Sequence, residues 1–285
     1  MTEYGDLLPT SDEITSTANP RVKWLASLRK RRSRDAEGVT VVEGLDELSL
    51  AVEAGVRVQA LYYCRALMRG NSGSQLFEAL AAQGTEVVLV GEAAFAKASY
   101  RESPDGWLAV VPDPSRPLGA LRLSERPLLL VAESVEKPGN LGAMLRTADA
   151  ARVDAVVAAS PVSDWGNPNV VRASKGAVFA VPVASAPSAE VAHWLTELSV
   201  TTVVATPESD RLFTDLDLTG AVAIVVGAEH AGVSDTWHSS TDVTCRIPMA
   251  GRVNSLNVAT SAALVLYEAV RQRNADVQRL RQTTK

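Results

Sequence analysis

The stretch Arg246-Ile247-Pro248-Met249-Ala250-Gly251-Arg252-Val253-Asn254-Ser255-Leu256-Asn257-Val258 decides how this chain is to be read. Val243 and Ile247 mark a strand edge, and Pro248 and Gly251 punctuate a loop. The apolar run over 258–270 predicts a helix with Ser255 as its N-cap. Polar side chains thus gather where a strand end passes into a helix start. The first N–H groups of a helix have no partner within it, so Ser255 and Asn257 can hold a polar ligand there against an apolar wall. A binding cleft in an α/β protein is the expectation.

Working outward, 285 residues suit two modest domains, and 46% hydrophobic content is ample for packed cores. No apolar run is long enough to span a bilayer, and the first residues, Met1-Thr2-Glu3-Tyr4-Gly5-Asp6, lack the basic and apolar blocks of a secretion signal. A soluble, cytoplasmic protein is expected. Cys64 and Cys245 lie far apart and read as unpaired thiols, not as a disulfide or a thiolate metal site. A net charge of −5 argues against indiscriminate coating of nucleic acid. The distribution says more: Arg21, Lys23, Arg29, Lys30, Arg31, Arg32 and Arg34 put seven cations into fourteen residues with no acid among them. That block, centred on Arg29, Lys30, Arg31 and Arg32, reads either as a phosphate-binding patch or as a solvated helix face.

Residues 1–13 read as a loose polar tail. Residues 16–34 predict a turn at Asn19-Pro20 entering a helix. Strands at 39–42, 58–63, 86–90 and 107–111 then alternate with helices at 45–54, 74–82 and 92–98, which makes an α/β domain over 14–111. Pro112, Pro114, Pro117 and Pro127 mark 112–127 as a linker.

The second domain, 128–275, opens with Leu128-Leu129-Leu130-Val131-Ala132, an apolar run suited to a buried parallel strand. It leads into Glu133-Ser134-Val135-Glu136-Lys137-Pro138-Gly139-Asn140-Leu141-Gly142-Ala143-Met144-Leu145-Arg146-Thr147-Ala148. There Asn140 can cap a helix that carries Arg146 nearly two turns on, and Gly139 and Gly142 admit close backbone approach. Val153, Val156 and Val157 form the next strand, and 169–177 reads as a helix ended by glycine. Strands at 181–183, 201–205 and 222–226 follow, with a helix at 189–198. The last of these strands runs into Gly227-Ala228-Glu229-His230-Ala231-Gly232-Val233. Loops at carboxyl ends of strands are where open α/β sheets bind ligands.

Three of these stretches, in this order, resemble the SpoU (TrmH-like) family of RNA ribose 2′-O-methyltransferases. Residues 247–258 carry every fixed position of its Ile-Pro-Met-x-Gly-x-x-x-Ser-Leu-Asn-Val motif. Residues 133–148 resemble the first motif, in which an Asn and an Arg six residues later are functional; Glu136-Lys137 stands where an Asp commonly precedes the Pro. Residues 227–232 resemble the second, a strand followed by Gly-x-Glu-x-x-Gly, and Arg172-Ala173-Ser174-Lys175-Gly176-Ala177 is also similar to a family stretch. The N-terminal half more loosely resembles the family's L30e-like RNA substrate-binding domain.

The resemblance implies an α/β C-terminal SPOUT domain with a deep trefoil knot, which no periodicity would have revealed. It implies S-adenosyl-L-methionine as cofactor, held by Thr206, Gly227, Ile247, Met249 and Leu256. Catalytic or orienting roles fall on Asn140, Arg146, Glu229, Ser255 and Asn257. The family assigns Arg146 to the attacking hydroxyl; a guanidinium surrenders its proton so reluctantly that electrostatic support of phosphate and developing alkoxide is easier to defend than general-base action. Singly, Asn140 and Ser255 would pass as helix caps, Glu229 as a loop acceptor and Arg146 as a surface cation; three ordered motifs together favour the functional roles.

The implied substrate is RNA, with 23S ribosomal RNA ahead of transfer RNA because of the dedicated N-terminal domain. Similarity to antibiotic-resistance methyltransferases of the group leaves resistance and housekeeping both open, and a non-catalytic RNA-binding protein of the same fold is the other class. A homodimer paired through the terminal helix is implied, and Val258, Ala259, Ala262, Ala263, Val265, Leu266 and Ala269 cover more of that helix than one buried stripe requires. No metal site is expected, since His193, His230 and His238 lack ligand spacing. Dinucleotide, Walker and hydrolase-elbow signatures do not occur.

Overall fold

Short runs of β-branched residues separated by helix formers build the first half of the chain. The computed structural model describes residues 13–68, 73–228 and 231–283. Helix α1 (Pro20–Ser27) begins at Pro20, and the Asn19 side chain accepts the Arg21 N–H at 2.9 Å. A second helix, α2 (Arg31–Glu37), follows a break at 28–30, so the single helix expected over 16–34 does not form. Lys30 is extended, and the Arg34 guanidinium, 2% exposed, takes the Leu28 and Arg29 carbonyls at 2.9 and 3.0 Å, leaving those acceptors satisfied outside a helix.

After it come β1 (Val39–Glu43), α3 (Leu45–Glu53), β2 (Ala60–Tyr63), α4 (Ser74–Ala82), β3 (Glu86–Leu89), α5 (Glu92–Ala98) and β4 (Trp107–Pro112). The sheet runs β1-β4-β2-β3, antiparallel except for the β2–β3 pair. Leu25 and Phe95 pack on one of its faces against Val41, Tyr62 and Leu108.

The second unit comprises 115–164 and 181–285, while 165–180 belong with the first. It starts with β5 (Ser115–Arg116), β6 (Leu128–Glu133), α6 (Pro138–Ala150) and β7 (Ala155–Ala159). The chain then contributes α7 (Pro168–Ala173) and α8 (Ala177–Ala180) to the first unit. Gly176, at φ +83°, explains the glycine there: a Cβ would come within 2.9 Å of the Glu47 carbonyl oxygen. It returns for β8 (Val183–Ala186), α9 (Ser188–Glu197), β9 (Thr201–Ala205), β10 (Val222–Val226), α10 (Asp235–Ser240), β11 (Val243–Cys245) and α11 (Val258–Thr283). The seven strands pair in parallel in the order β11-β9-β10-β6-β7-β8-β5. Every residue of β6, β7 and β10 is buried, as the near-continuous apolar runs require of a sheet covered on both faces.

Several expectations change here. Residues 115–127 are not free linker: β5 pairs with β8, and Leu118, 7% exposed, packs into the second unit's core. Helix α11 runs on to Thr283, well beyond 270. On it Val258, Ala259, Ala262, Val265, Leu266 and Ala269 are all buried within this one chain, so they are core residues and not the free dimer face that the pattern suggested. Among the described side chains of α11, the large apolar ones left exposed are Leu264 and Tyr267, at 39% and 49%. Cys64 and Cys245 are free and buried, and burial pushes the Cys245 thiol up to about 11. No helix among the described residues is long and apolar enough to cross a membrane.

Candidate active site

Strand β6 is the switch point of the larger sheet: β7 and β8 lie on one side of it, β10, β9 and β11 on the other. Connections leave such a point in opposite directions and open a crevice beyond the carboxyl ends. A cavity of about 590 Å³ lies at the ends of β9, β10 and β11. Thr206 reaches it from β9, Gly227 from β10, and Ile247, Met249 and Leu256 from the loop after β11, with Ser255 beside them. All five positions singled out for a cofactor therefore line one cavity.

The three loops are held in place by backbone bonds. Thr206 N–H donates to the Cys245 carbonyl at 2.8 Å, joining the ends of β9 and β11. Gly232 N–H donates to the Ala228 carbonyl at 2.9 Å and closes the loop after β10. Gly227 has to be glycine, because a Cβ would overlap the Gly232 carbonyl group. Glu229 and His230 lie outside the described residues.

Asn257, not Ser255, caps α11: its Oδ1 accepts the Ala259 N–H at 3.0 Å. Its Nδ2 donates to Asn140 Oδ1 at 3.1 Å, so the cap of α11 and the first turn of α6 share one side-chain bond. Asn140 itself does not cap α6, since Pro138 opens that helix one turn earlier with Lys137 at the cap position. Ser255, released from capping, lines the cavity. Arg146 is exposed on α6, about 9 Å along the helix from Asn140. Among the described residues no carboxylate pairs with it.

Two site residues escaped sequence reasoning. Glu133, 2% exposed at the end of β6, accepts the Ser234 N–H and hydroxyl, both at 2.7 Å, and the Ser188 hydroxyl at 2.6 Å. It ties the loop after β10 to the start of α9. Glu208 stands at the cavity, and the Thr206 hydroxyl donating to it holds its carboxyl below the usual range. Glu133 sits within the first motif and Glu208 two residues past Thr206. Neither has a periodicity signal, because partners over fifty residues away give Glu133 its role.

The basic block is largely engaged. Arg21 pairs with Glu86 at 2.7 Å and Arg31 with Asp35 at 3.5 Å, Arg34 is buried, and Arg29 donates to the carbonyls of Lys97 and Ser99. Lys30 and Arg32 are exposed.

The SpoU rRNA Methylase family model matches residues 127–267, and the MRM3-like substrate binding domain model matches 19–109. A 23S rRNA (uridine(2479)-2′-O)-methyltransferase of Streptomyces viridochromogenes is 32% identical over 275 residues, covering 94% of this chain and 95% of that one. The chain belongs to the SpoU rRNA methylase family. Among solved SpoU-like structures, the AdoMet-bound rRNA methyltransferase from Sinorhizobium meliloti aligns with a TM-score of 0.83 at 28% identity, over 91% of this chain and 97% of that one. An RNA 2′-O ribose methyltransferase aligns with a TM-score of 0.79 at 40% identity, over 92% and 99%. This SpoU chain thus shares both its halves with those enzymes.

Proposed function

We propose that this chain transfers the methyl group of S-adenosylmethionine to a ribose 2′-hydroxyl of 23S ribosomal RNA, in the cytoplasm where ribosomes are assembled. The observation that carries the reading is the cavity at the carboxyl ends of β9, β10 and β11, lined by Thr206, Gly227, Ile247, Met249 and Leu256. Its volume falls within the range of about 300–1,000 Å³ usual for small-molecule sites. Ile247 and Leu256 offer an apolar wall, while Glu208 and the loop peptides offer polar partners. When bound, the cofactor supplies an electrophilic methyl group on a sulfonium.

The chain's own contribution is placement and charge. The Asn257–Asn140 bond sets the start of α11 against α6 and orients the ribose side of the site. Ser255 holds the reacting geometry from the cavity wall. Arg146, without a carboxylate partner among the described residues, stabilises the phosphate and the negative charge that develops on the ribose 2′-oxygen as that oxygen acts as nucleophile toward the methyl carbon and loses its proton to solvent. Residues 14–111 hold the RNA, with Arg29, Lys30, Arg31 and Arg32 on their surface. Two copies pair through the exposed Leu264 and Tyr267 face of α11.

Calorimetry with S-adenosylmethionine tests the pocket: binding in the micromolar range is expected, and Leu256→Glu should abolish it by burying a charge in an apolar wall. Mapping of ribose methylation in 23S ribosomal RNA, with and without the protein, should show one modification that depends on it. No such position, or no heat at millimolar cofactor, overturns the reading.

A further inference from the structure

The first unit carries a feature that the methyl-transfer site does not use. Tyr100 is 36% exposed, yet the turn that presents it is clamped from within. The Glu43 carboxylate, 7% exposed at the end of β1, accepts the Ser99 hydroxyl at 3.0 Å, the Arg101 N–H at 3.0 Å and the Tyr100 N–H. From the other side Arg29 donates to the carbonyls of Lys97 and Ser99, and Arg34 in turn holds the Arg29 carbonyl at 3.0 Å. A buried carboxylate satisfied by three donors fixes a turn at the cost of desolvating a charge. What that rigidity presents to solvent is a single aromatic ring.

Around this ring the α7 segment adds polar groups. Asn169 Nδ2 donates to the Tyr100 hydroxyl at 2.8 Å, and Arg172 donates to Asn169 Oδ1 at 3.4 Å. Tyr100, Pro168, Val171 and Arg172 share the rim of a narrow cleft. The Thr40 hydroxyl, donating to the Gly166 carbonyl, anchors this segment on β1. Exposed cations come from three elements, Lys97 on α5, Arg172 on α7 and Arg29 from the break after α1, with Glu102 the opposing charge two residues beyond Tyr100.

We infer that Tyr100, Asn169 and Arg172 form a platform for one nucleotide of single-stranded RNA, the ring stacking on a base and the guanidinium meeting the adjoining phosphate. This rests on the RNA-directed reading above and adds to it a contact point. Aromatic faces and arginine planes are the groups by which unpaired bases are held, and a pre-fixed ring loses little entropy on stacking. It also gives Arg29 a part different from the one its sequence neighbourhood suggested, since it braces the turn by hydrogen bonds instead of standing free for phosphate.

The test uses the full chain, with Tyr100→Ala, Tyr100→Phe and Arg172→Ala. Affinity for a fluorescent single-stranded oligouridylate is measured over a range of salt, and methyl transfer to 23S ribosomal RNA is measured alongside. Tyr100→Ala should weaken oligonucleotide binding about ten-fold or more, with the loss in methyl transfer appearing in KM for RNA. Tyr100→Phe should retain most of the affinity because the ring persists, and Arg172→Ala should lower the salt slope by about one. Circular dichroism and thermal unfolding should match wild type in all three, which separates a lost contact from a lost fold of the first unit, and cofactor binding by calorimetry should be unaltered. Unchanged oligonucleotide affinity in Tyr100→Ala, or equal loss in Tyr100→Phe and Tyr100→Ala, overturns the platform. If the wild-type protein transfers no methyl group, the enzymatic reading falls, while the oligonucleotide titrations still judge the platform.

Discussion

Arg146 and Gly227 mark two kinds of residue in the proposed site. Gly227 matters for what it lacks, since any side chain there would collide with the Gly232 backbone. Arg146 is proposed to act through its charge, which lies on the exposed face of α6 with no carboxylate partner among the described residues. Arg146→Ala should lower methyl transfer by about a hundred-fold or more, the order of loss seen when a preorganised stabilising donor is removed. Cofactor affinity should remain near wild type in the same variant; comparable loss of both in calorimetry and rate measurements would move Arg146 to the cofactor side. Arg146→Lys keeps the charge without the planar fork, so retention of much of the rate would favour plain electrostatic support over bidentate holding.

At the scale of elements, the decisive contact is between two helix starts. Asn257 uses its oxygen for the cap of α11 and its nitrogen for Asn140 on α6, and the two functions can be separated. Asn257→Asp keeps an acceptor for the cap and loses the donor. It should leave thermal stability close to wild type while reducing the rate. Asn257→Ala removes both and should also cost about 1 kcal/mol of stability. Chemical denaturation and initial rates on the two variants check this; equal destabilisation by both would reduce the residue to a cap. Glu133 serves the loop after β10 in a similar way, by gathering donors from Ser188 and Ser234 that no local sequence would bring together.

For the whole molecule the open issue is pairing. Among the described side chains of α11, most of the apolar ones are buried inside their own unit, and Leu264 and Tyr267 are the large apolar ones left exposed. Sedimentation equilibrium at micromolar concentration should give twice the chain mass, and Leu264→Glu with Tyr267→Glu together should return the protein to a monomer. A single wild-type species near 30.2 kDa would rule the dimer out. The same scale explains the basic block: its cations are consecutive in sequence, but folding sends Arg34 inward, Arg29 onto backbone carbonyls and Arg21 onto Glu86.

The sequence by itself determined the alternation of strands and helices, the buried parallel strands β6 and β10, and two of the three loops that meet at the cavity, those after β10 and β11. These are set by local patterning, by glycine and proline, and by motifs whose spacing is carried along the chain. Tertiary structure alone decided that residues 165–180 join the first unit, that 115–127 belong to the second, and that Asn257 displaces Ser255 as the cap. It also decided that Glu133 and Glu43 are buried clamps, not surface acids. The reason is physical: a buried carboxylate or a helix cap is defined by the donors around it, and those donors come from segments that only the folded sheet brings within hydrogen-bond reach.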